Sequence, residues 1–335
     1  MKNKTTLKDL SRLLKVSVST VSKALNNSPE IGNDTKERVK KMAALCQYRP
    51  NPTAMNLQSS KSGTIGVIIP NISNSFFAKV LSGIEEEAQK EGIKVITYIS
   101  NESLKREQEI TWLLSSGFVD GVLVAFSEET QKNKEFAHLI NLIEYDIPVV
   151  LYDRIGFDFQ LDKIGTNDEQ SLCEATKFFI SKGVQKIGLA SGIPNLDVGK
   201  RRIKGYQKAI IDKENFLIAK SSNKEILRSK IQKLLLEDKV QAMLCTDFDS
   251  TMLVYRLAYE NDIKIPEALK LIGFLNEDYS RTLGPSVSYI EQFPEQIGKK
   301  GMQLLLNRMR GFTKKGTITE KKISTELIHL ESTKF

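Results

Sequence analysis

Apolar residues recur with helical spacing in three short segments at the start of the chain. They predict helices over residues 7–14, 18–25 and 34–48, with a tight turn at Lys15 and Val16 between the first two. Three short helices, the second reached through a tight turn, are typical of a helix-turn-helix module.

The predicted helices have recognisable starts and a shared apolar face. Thr6 and Asp9 have the spacing of a capping box, and Ser17 can cap the second helix. The side chains predicted to face inward are those of Leu7, Leu10, Leu13, Leu14, Val21, Ala24, Leu25, Val39, Met42, Ala43 and Leu45. The second helix presents a different set outward, namely Val18, Ser19, Thr20, Ser22 and Lys23. That set suits insertion into a major groove, although a generic three-helix bundle is the alternative on pattern alone.

Beyond residue 63 the pattern changes to apolar, β-rich runs that alternate with helical segments. This alternation predicts parallel, doubly wound sheets, so the fold class is α/β. The length of chain predicts two such lobes, with ligand in the crevice beyond the strand ends. Strands are predicted at 64–69, 95–99, 121–125, 148–151, 187–190, 242–245 and 271–274. Helices are predicted at 76–91, 104–115, 134–144, 169–182, 198–213 and 249–261.

Residues 50–62 separate the two patterns and include Pro50 and Pro52. Only about six residues are available for a helix there, and isolated helices shorter than about 12 residues are marginal in water. A plain linker is one interpretation. The other is a hinge helix that folds only against a partner, with Leu57 as an apolar wedge for a minor-groove base step.

The excess positive charge is confined to the first fifth of the chain. Residues 1–62 contain twelve Lys and Arg against four Asp and Glu, a net charge of +8 that equals the net charge of all 335 residues. The remaining residues are therefore neutral overall. A solvated charged face is the ordinary explanation of surplus charge, but confinement to one small segment indicates a polyanionic partner.

Other classes of protein find little support. No apolar run approaches about 18 residues, and residues 1–10 lack the features of a signal peptide, so a cytoplasmic protein is predicted. Cys46, Cys173 and Cys245 are far apart and, with only His138 and His329 to help, predict buried thiols rather than a zinc site. No nucleotide fingerprint, Walker sequence or nucleophile elbow is visible, so we expect neither an enzyme nor a cofactor.

The headpiece segment resembles the LacI/GalR repressor family in LKDL at 7–10, VSVSTVSKALN at 16–26, T-x-ERV at 35–39 and YRPN at 48–51. The resemblance implies that Val18 and Ser19 are the base-reading pair, with Lys23 at a common Arg or Lys position. It places Leu57 at the family's intercalating hinge leucine, although Met55 replaces the usual hinge arginine. The implied DNA-binding residues are Thr6, Ser17, Val18, Ser19, Thr20, Ser22, Lys23, Asn26, Tyr48, Asn51, Ala54 and Leu57.

The resemblance continues in PNISNSFF at 70–77, GIE at 83–85, VDG at 119–121, PVVLYDR at 148–154, GY at 205–206 and IGF at 272–274. It implies the fold of periplasmic binding proteins, each lobe completed by a C-terminal segment. By position, Phe76 and Phe77 pack on the effector, Arg202 anchors it, and Asp247 binds its hydroxyl groups. A core role for the two phenylalanines, and a surface role for Arg202 and Asp247, are the alternatives.

Three departures from the family bear on the effector. Leu275 stands where an aspartate usually grips sugar hydroxyls, Leu196 makes a commonly polar position apolar, and the stretch 212–223 is short. A sugar or sugar derivative is the default effector, with a less hydroxylated ligand or a protein corepressor left open. The chain after His329 has no heptad repeat, so we expect no tetramerising coil.

The sequence thus predicts a homodimeric, cytoplasmic repressor that binds a pseudo-palindromic operator under effector control. A solute-binding protein and an α/β sugar-processing enzyme are the competing functions. We expect a helix-turn-helix domain at 1–49, a hinge at 50–62, and an effector-binding and dimerisation domain at 63–335. Its first lobe is expected at about 63–158 and 290–320, and its second at about 159–287 and 321–335.

Overall fold

A computed structural model describes residues 5–48, 62–157, 160–210, 216–314 and 316–335. The chain forms two compact units, Met1–Ser62 and Gly63–Phe335, each described here by itself. The first unit is referred to as the headpiece and the second as the sensor. Within the described ranges, no helix is both long and apolar enough to cross a membrane.

Residues 5–48, the main described part of the headpiece, contain three helices: α1 Leu7–Leu14, α2 Val18–Leu25 and α3 Asn33–Leu45. The predicted capping box is present, since the Thr6 amide donates to Asp9 at 2.9 Å and the Asp9 amide donates back to the Thr6 hydroxyl at 3.3 Å. Lys15 ends α1 in the left-handed region, which makes the tight turn into α2. The fully buried core consists of Leu10, Leu14, Val21, Ala24, Val39 and Ala43.

Two residues predicted to face inward lie on the surface. Leu13 is 57% exposed and Leu45 is 80% exposed. Leu10 and Leu14 already fill the side of the short helix α1 that meets the other helices, so Leu13 points away from them. The third helix was predicted to reach residue 48, but α3 ends at Leu45. The Leu45 side chain therefore lies beyond the last buried residue of the helix, Ala43.

The sensor alternates strands and helices, as predicted. Its elements in chain order are β1 Thr64–Ile69, α4 Ser75–Lys90, β2 Lys94–Ile99, α5 Leu104–Leu114, β3 Val122–Val124, α6 Glu128–Asn133, α7 Ala137–Glu144, β4 Val149–Tyr152, β5 Asp162–Thr166, α8 Asp168–Ser181, β6 Ile187–Ser191, α9 Asp197–Ala209, β7 Leu217–Lys220, α10 Lys224–Leu236, β8 Ala242–Cys245, α11 Phe248–Glu260, β9 Lys270–Gly273, α12 Glu277–Thr282, β10 Ser288–Glu291, α13 Pro294–Met309, β11 Glu320–Ile323, β12 Glu326–Ile328 and a 3₁₀ turn Glu331–Thr333.

Two six-stranded sheets form the cores of two lobes. Lobe 1 has the strand order β11-β5-β4-β3-β1-β2 and is parallel throughout. Lobe 2 has the order β12-β10-β9-β8-β6-β7, in which only β12 is antiparallel. Helices cover both faces, which explains why strand β1 is apolar at nearly every position: Ile65 and Val67 pack on one side and Ile68 on the other.

The chain crosses between the lobes at three places. The first is Asn167 between β5 and α8, the second Gln292 and Phe293 between β10 and α13, and the third the two residues between β11 and β12. The Thr325 amide donates to the Asn167 side chain at 3.0 Å, so the first and third crossings lie together. The expected lobe bounds need correction, because β5 and β11 belong to lobe 1 and β10 belongs to lobe 2.

Strand β5 explains the largest of these differences. It begins with Asp162 and Lys163, both buried, which gave no apolar signal in the sequence. Arg308 from α13 forms a two-pronged pair with the Asp162 carboxylate, at 2.6 and 2.9 Å, and Lys163 donates to a backbone carbonyl. These partners compensate the burial of charge, and Arg308, which lies 146 residues after Asp162, cannot be seen in the local pattern.

Candidate nucleic-acid interface and ligand cleft

Helix α2 displays small polar residues on the surface of the headpiece. Ser17 caps it, its hydroxyl accepting from the Thr20 amide at 3.0 Å, while Val21 and Ala24 are buried against the other helices. Val18 and Ser19 are therefore exposed at the helix N-terminus. An exposed helix with small residues at its first turn has the shape that enters a DNA major groove.

Lys23 does not project freely from this helix. Its ammonium group forms an ion pair with the carboxylate of Glu30, which lies in the turn after α2. Both side chains are substantially exposed, so solvent weakens the pair. Glu30 was not among the predicted site residues, and nothing in the local pattern points to it, since the turn that brings it back to Lys23 spans seven residues.

The other predicted DNA-contacting residues differ in their contacts and exposure. Thr6 and Ser17 use their hydroxyls as helix caps, and Thr20 shares a 2.8 Å hydrogen bond with Ser17. Tyr48 is half-buried, and burial raises the pKa of its phenol. Ser22 is half-buried and Asn26 is exposed. Three more predicted residues lie outside the described part of the chain, namely Asn51, Ala54 and Leu57.

The sensor contains a cleft of about 540 Å³ between its lobes, at the carboxyl ends of the strands. All four predicted effector residues line it: Phe76, Phe77, Arg202 and Asp247. Phe76 and Phe77 stand edge to face with centroids 5.3 Å apart, the first half-buried and the second packed in the core of lobe 1. Phe77 therefore has the core role, while both rings line the cleft, and their packing on an effector stays a prediction.

Arg202 is buried at the base of the cleft and is fixed from three directions. Its Nε donates to Asp168 at 2.8 Å, one terminal nitrogen donates to the Thr246 carbonyl at 2.7 Å, and the other to the Gln292 side chain at 2.6 Å. The guanidinium also stacks on the Phe274 ring, 3.7 Å from its centroid. Asp168 follows the first crossing and Gln292 lies in the second, so Arg202 ties the cleft to the crossings.

Asp247 lines the cleft, but its carboxylate already has protein partners. The amides of Gly192 and Ser250 donate to it at 2.8 and 2.9 Å, and the hydroxyls of Thr246 and Ser250 both lie at 2.9 Å. Asp247 is thus the cap of α11, and little capacity remains for a ligand hydroxyl. The spacing of Asp247 and Ser250 before a helix was the local signal for this role.

Asp153 and Arg154 also line the cleft, directly after β4, and no role had been assigned to either. Arg154 is held by a two-pronged pair with Glu102, both distances 2.7 Å. The Asp153 carboxylate is buried, and among the described residues its nearest charged partner is Arg154 Nε at 3.9 Å, beyond hydrogen-bonding distance. Burial raises the pKa of Asp153 to about 6, despite the nearby guanidinium groups of Arg154 and Arg202.

Comparison with known proteins decides the family. Residues 6–51 match the family described as bacterial regulatory proteins, lacI family, and residues 176–333 match a periplasmic binding protein-like domain. The chain is 30% identical over 316 residues to the HTH-type transcriptional repressor PurR of Vibrio atlanticus, covering 91% of this chain and 92% of that repressor. The chain belongs to the lacI family.

Two further similarities agree with this assignment. The chain is 28% identical over 312 residues to the ribose operon repressor of Haemophilus influenzae, covering 91% of this chain and 92% of the relative. The lac repressor dimer bound to operator and the anti-inducer ONPF has the same fold, with a TM-score of 0.85, 99% coverage of both chains and 18% identity. The predicted family, fold class and DNA-binding regulatory function are confirmed, and this lacI-family protein is a transcription regulator.

In this lacI-family regulator, two sets of contacts join the lobes at the rims of the cleft. At one rim Lys79 of lobe 1 pairs with Asp278 of lobe 2 at 3.3 Å. At the other, the Asp197 carboxylate of lobe 2 accepts the Gly156 amide of lobe 1 at 2.8 Å, and the Asp197 amide donates to Gln131 of lobe 1 at 2.9 Å. We call this second set the Asp197 clasp.

The Asp197 clasp is connected to Arg202. Arg201 bridges the carboxylates of Asp197 and Asp168 at 2.6 and 2.7 Å, and Asp168 in turn accepts from Arg202. Burial raises the pKa of Asp197, although Arg201 opposes the shift. Arg202 is therefore connected through Asp168 and Arg201 to the Asp197 clasp, so a ligand that displaces Arg202 would act on a contact that joins the lobes.

Proposed function

We propose that this lacI-family regulator is a homodimeric, cytoplasmic repressor whose affinity for a pseudo-palindromic operator changes when a small molecule binds in the sensor cleft. The observation that carries the proposal is the buried Arg202–Asp168–Gln292 group at the base of a two-lobed cleft, in a chain that also has a basic headpiece. A ligand on Arg202 would contact a side chain that hydrogen-bonds to Asp168, next to the first crossing, and to Gln292 in the second.

The named relatives support repression and a small effector. They include a repressor named PurR and a ribose operon repressor, and the solved lac repressor carries an anti-inducer. We take a sugar or sugar derivative as the effector class. For the lobes to respond, the effector must bind two arrangements of the lobes with different affinity, because only such a ligand shifts the equilibrium between them.

On the DNA side, we propose that Val18, Ser19 and Lys23 read bases, and that Leu57 is the minor-groove wedge. Replacing Lys23 by Ala is expected to cost about 1–3 kcal/mol of operator binding and to relax preference at one symmetric position. Selection of operator sequences by wild type and Lys23→Ala measures this. An unchanged consensus would remove Lys23 from the base-reading set.

The central test uses the full-length chain and the DNA upstream of its own gene. Fluorescence anisotropy should show specific binding that a bound sugar effector strengthens or weakens. Arg202→Ala should keep operator affinity without effector nearly intact but lose the response, because the group that links the cleft to the crossings is gone. An Arg202→Ala protein that still responds would contradict the proposed site.

The Phe178–His329–Phe335 cluster offers a matched control for that variant. His329 is exposed, near the end of the sequence, and its ring centroid lies 4.3 Å from that of Phe178, outside the cleft lining. His329→Ala should lower thermal stability while leaving the effector response as in wild type. A loss of response in both variants would indicate general destabilisation rather than loss of the site.

A further inference from the structure

The inner part of the cleft has two walls of different chemistry. Lobe 1 contributes the Asp153 carboxylate and the Arg154 guanidinium, both after β4. Lobe 2 contributes Arg202 together with a set of apolar side chains, called here the apolar wall: Ile193, Leu196, Val198, Phe248, Phe274 and Leu275. Four of these six are buried, and Ile193 and Phe248 are half-buried.

The topology of lobe 2 makes the apolar wall continuous. Strands β9, β8 and β6 are neighbours in the sheet and run parallel. Because the carboxyl ends of parallel strands meet at one edge, the segments that follow them lie side by side. Leu275 follows β9, Phe248 follows β8, and Ile193 and Leu196 follow β6.

The polar atoms of Thr246 and Asp247, beside the apolar wall, are already engaged. The Asp247 carboxylate is filled by the helix cap, and the Thr246 hydroxyl lies 2.7 Å from Ser191. The Thr246 carbonyl accepts from Arg202. A ligand hydroxyl placed against this wall would lose its hydrogen bonds to water without replacement.

The cations that line the cleft each have a carboxylate partner. The pairs are Arg202 with Asp168 at 2.8 Å, Arg154 with Glu102 at 2.7 Å, Lys79 with Asp278 at 3.3 Å and Arg281 with Glu277 at 2.8 Å. Asp153, by contrast, is a buried acceptor without a hydrogen-bond donor among the described residues. An anionic ligand would therefore meet a carboxylate and no uncommitted cation, whereas a hydroxyl group could donate to Asp153.

We propose that the effector is an uncharged, amphipathic carbohydrate, with one hydroxyl that donates to Asp153, another whose oxygen accepts from Arg202, and a hydrocarbon group against the apolar wall. A deoxy sugar or an alkyl or aryl glycoside has this chemistry, and a sugar acid, a sugar phosphate or a fully hydroxylated hexose lacks it. The proposal rests on the proposed function of the cleft as the effector site.

Matched ligand pairs test this class by titration calorimetry on the full-length chain. The pairs are D-galactose with 6-deoxy-D-galactose, and D-glucose with its methyl and phenyl β-glycosides; D-glucuronate and D-glucose 6-phosphate are the charged members. At least one substituted sugar should bind about tenfold to a hundredfold more tightly than its parent, the range expected when one hydroxyl meets an apolar surface. The charged members should bind no better than their parent.

Variants of the apolar wall sharpen the test. Leu275→Asn adds a donor and an acceptor to the wall and should reduce the preference for the substituted sugar about tenfold. Leu275→Ala removes hydrocarbon without adding polar atoms, so it should weaken the substituted sugar without improving the parent. Because Leu275 is buried, Ile193→Asn at the half-buried edge of the same wall is the second variant, with the same expectation.

Equal or tighter binding of the parent, tightest binding of a charged sugar, or no binding by any substituted sugar would each overturn the proposed ligand class. A substituted sugar that binds wild type and Arg202→Ala equally would instead place the site outside the cleft, and the proposed function would fail with it. A nucleoside that binds in an Arg202-dependent manner, where the sugars do not, would keep the cleft as the effector site and reject the carbohydrate.

Discussion

The headpiece and the sensor use charge in opposite ways. The headpiece holds the whole net charge of the chain, +8, and the charged side chains among its described residues are exposed or half-buried. The sensor is neutral overall, and its important charges are buried and paired, as in Arg202 with Asp168. Exposed charge acts at long range on a polyanion, whereas buried, paired charge acts only on what enters the cleft.

The largest expected difference between the headpiece and the sensor is in how their binding affinities depend on ionic strength. If the headpiece neutralises several phosphates, the logarithm of operator affinity should fall with the logarithm of salt concentration at a slope of about −0.9 per contact. Six to ten contacts would mean a loss of about 10³–10⁵ between 50 and 200 mM salt. Binding of an uncharged effector should change little over the same range. Anisotropy titrations for DNA and calorimetry for effector measure both, and parallel salt slopes would contradict the comparison.

Asp153 should be a source of instability retained for ligand binding. Its folded pKa of about 6 exceeds the ordinary 3.8, so the folded state holds the proton more tightly. The resulting stability is fully present below pH 3.8 and is lost as pH rises through about 6. Asp153→Asn should therefore raise the free energy of unfolding at pH 7 by the order of 1–3 kcal/mol and weaken effector binding.

The measurement for Asp153→Asn is urea unfolding at pH 5 and pH 7, beside Asp162→Asn as control. Asp162 is equally buried but fully paired with Arg308 and the Thr319 amide, so its replacement should destabilise the protein. If both variants destabilise the protein at pH 7, burial of the ionised Asp153 carboxylate does not reduce the free energy of unfolding, and the prediction is wrong.

Substitution of Gly156 tests whether the Asp197 clasp affects effector binding without affecting operator binding. A Cβ at this glycine would lie 1.7 Å from the Asp197 carboxylate, so Gly156→Ala cannot keep the contact. Hydrogen bonds to charged groups contribute about 1.5–3 kcal/mol, so we expect about tenfold weaker effector binding, with effector-free operator binding nearly unchanged. The control is Asp278→Asn at the other rim, where an exposed pair should matter less. Unaltered effector affinity in Gly156→Ala would show that the Asp197 clasp does not contribute to effector binding.

Glu30 should give the smallest effect. Its ion pair with Lys23 would compete with the proposed contact of Lys23 to a base edge. Exposed pairs contribute about 0–1 kcal/mol, so Glu30→Gln should tighten operator binding up to about fivefold. Glu37→Gln removes the same charge beside Lys41 instead and is the matched control. Equal gains from both variants, measured by anisotropy at one salt concentration, would show general electrostatics rather than release of Lys23.

Most of the fold could be predicted because its signals are local. Helical spacing placed α1 and α2 at their observed bounds, and the alternation of strands and helices placed the sheets. The missed strand β5 begins with buried charges, and Leu13 and Leu45 are apolar yet exposed. For β5 the deciding neighbour, Arg308, lies on another element, so residue type alone predicts the wrong burial.

The candidate site divides along the same line. The sequence by itself determined the basic headpiece and its capped helices, and through the family resemblance it indicated Phe76 and Arg202, which line the cleft. Only the tertiary structure decided that the distant Gly192 amide also donates to Asp247, that Asp153 has no hydrogen-bond donor among the described residues, and that Arg202 joins Asp168 to Gln292, which lies 90 residues after Arg202. The physical reason is that capping, periodicity and net charge depend on neighbours within a few residues, whereas the desolvation and pairing of a buried charge depend on which strands the fold brings together.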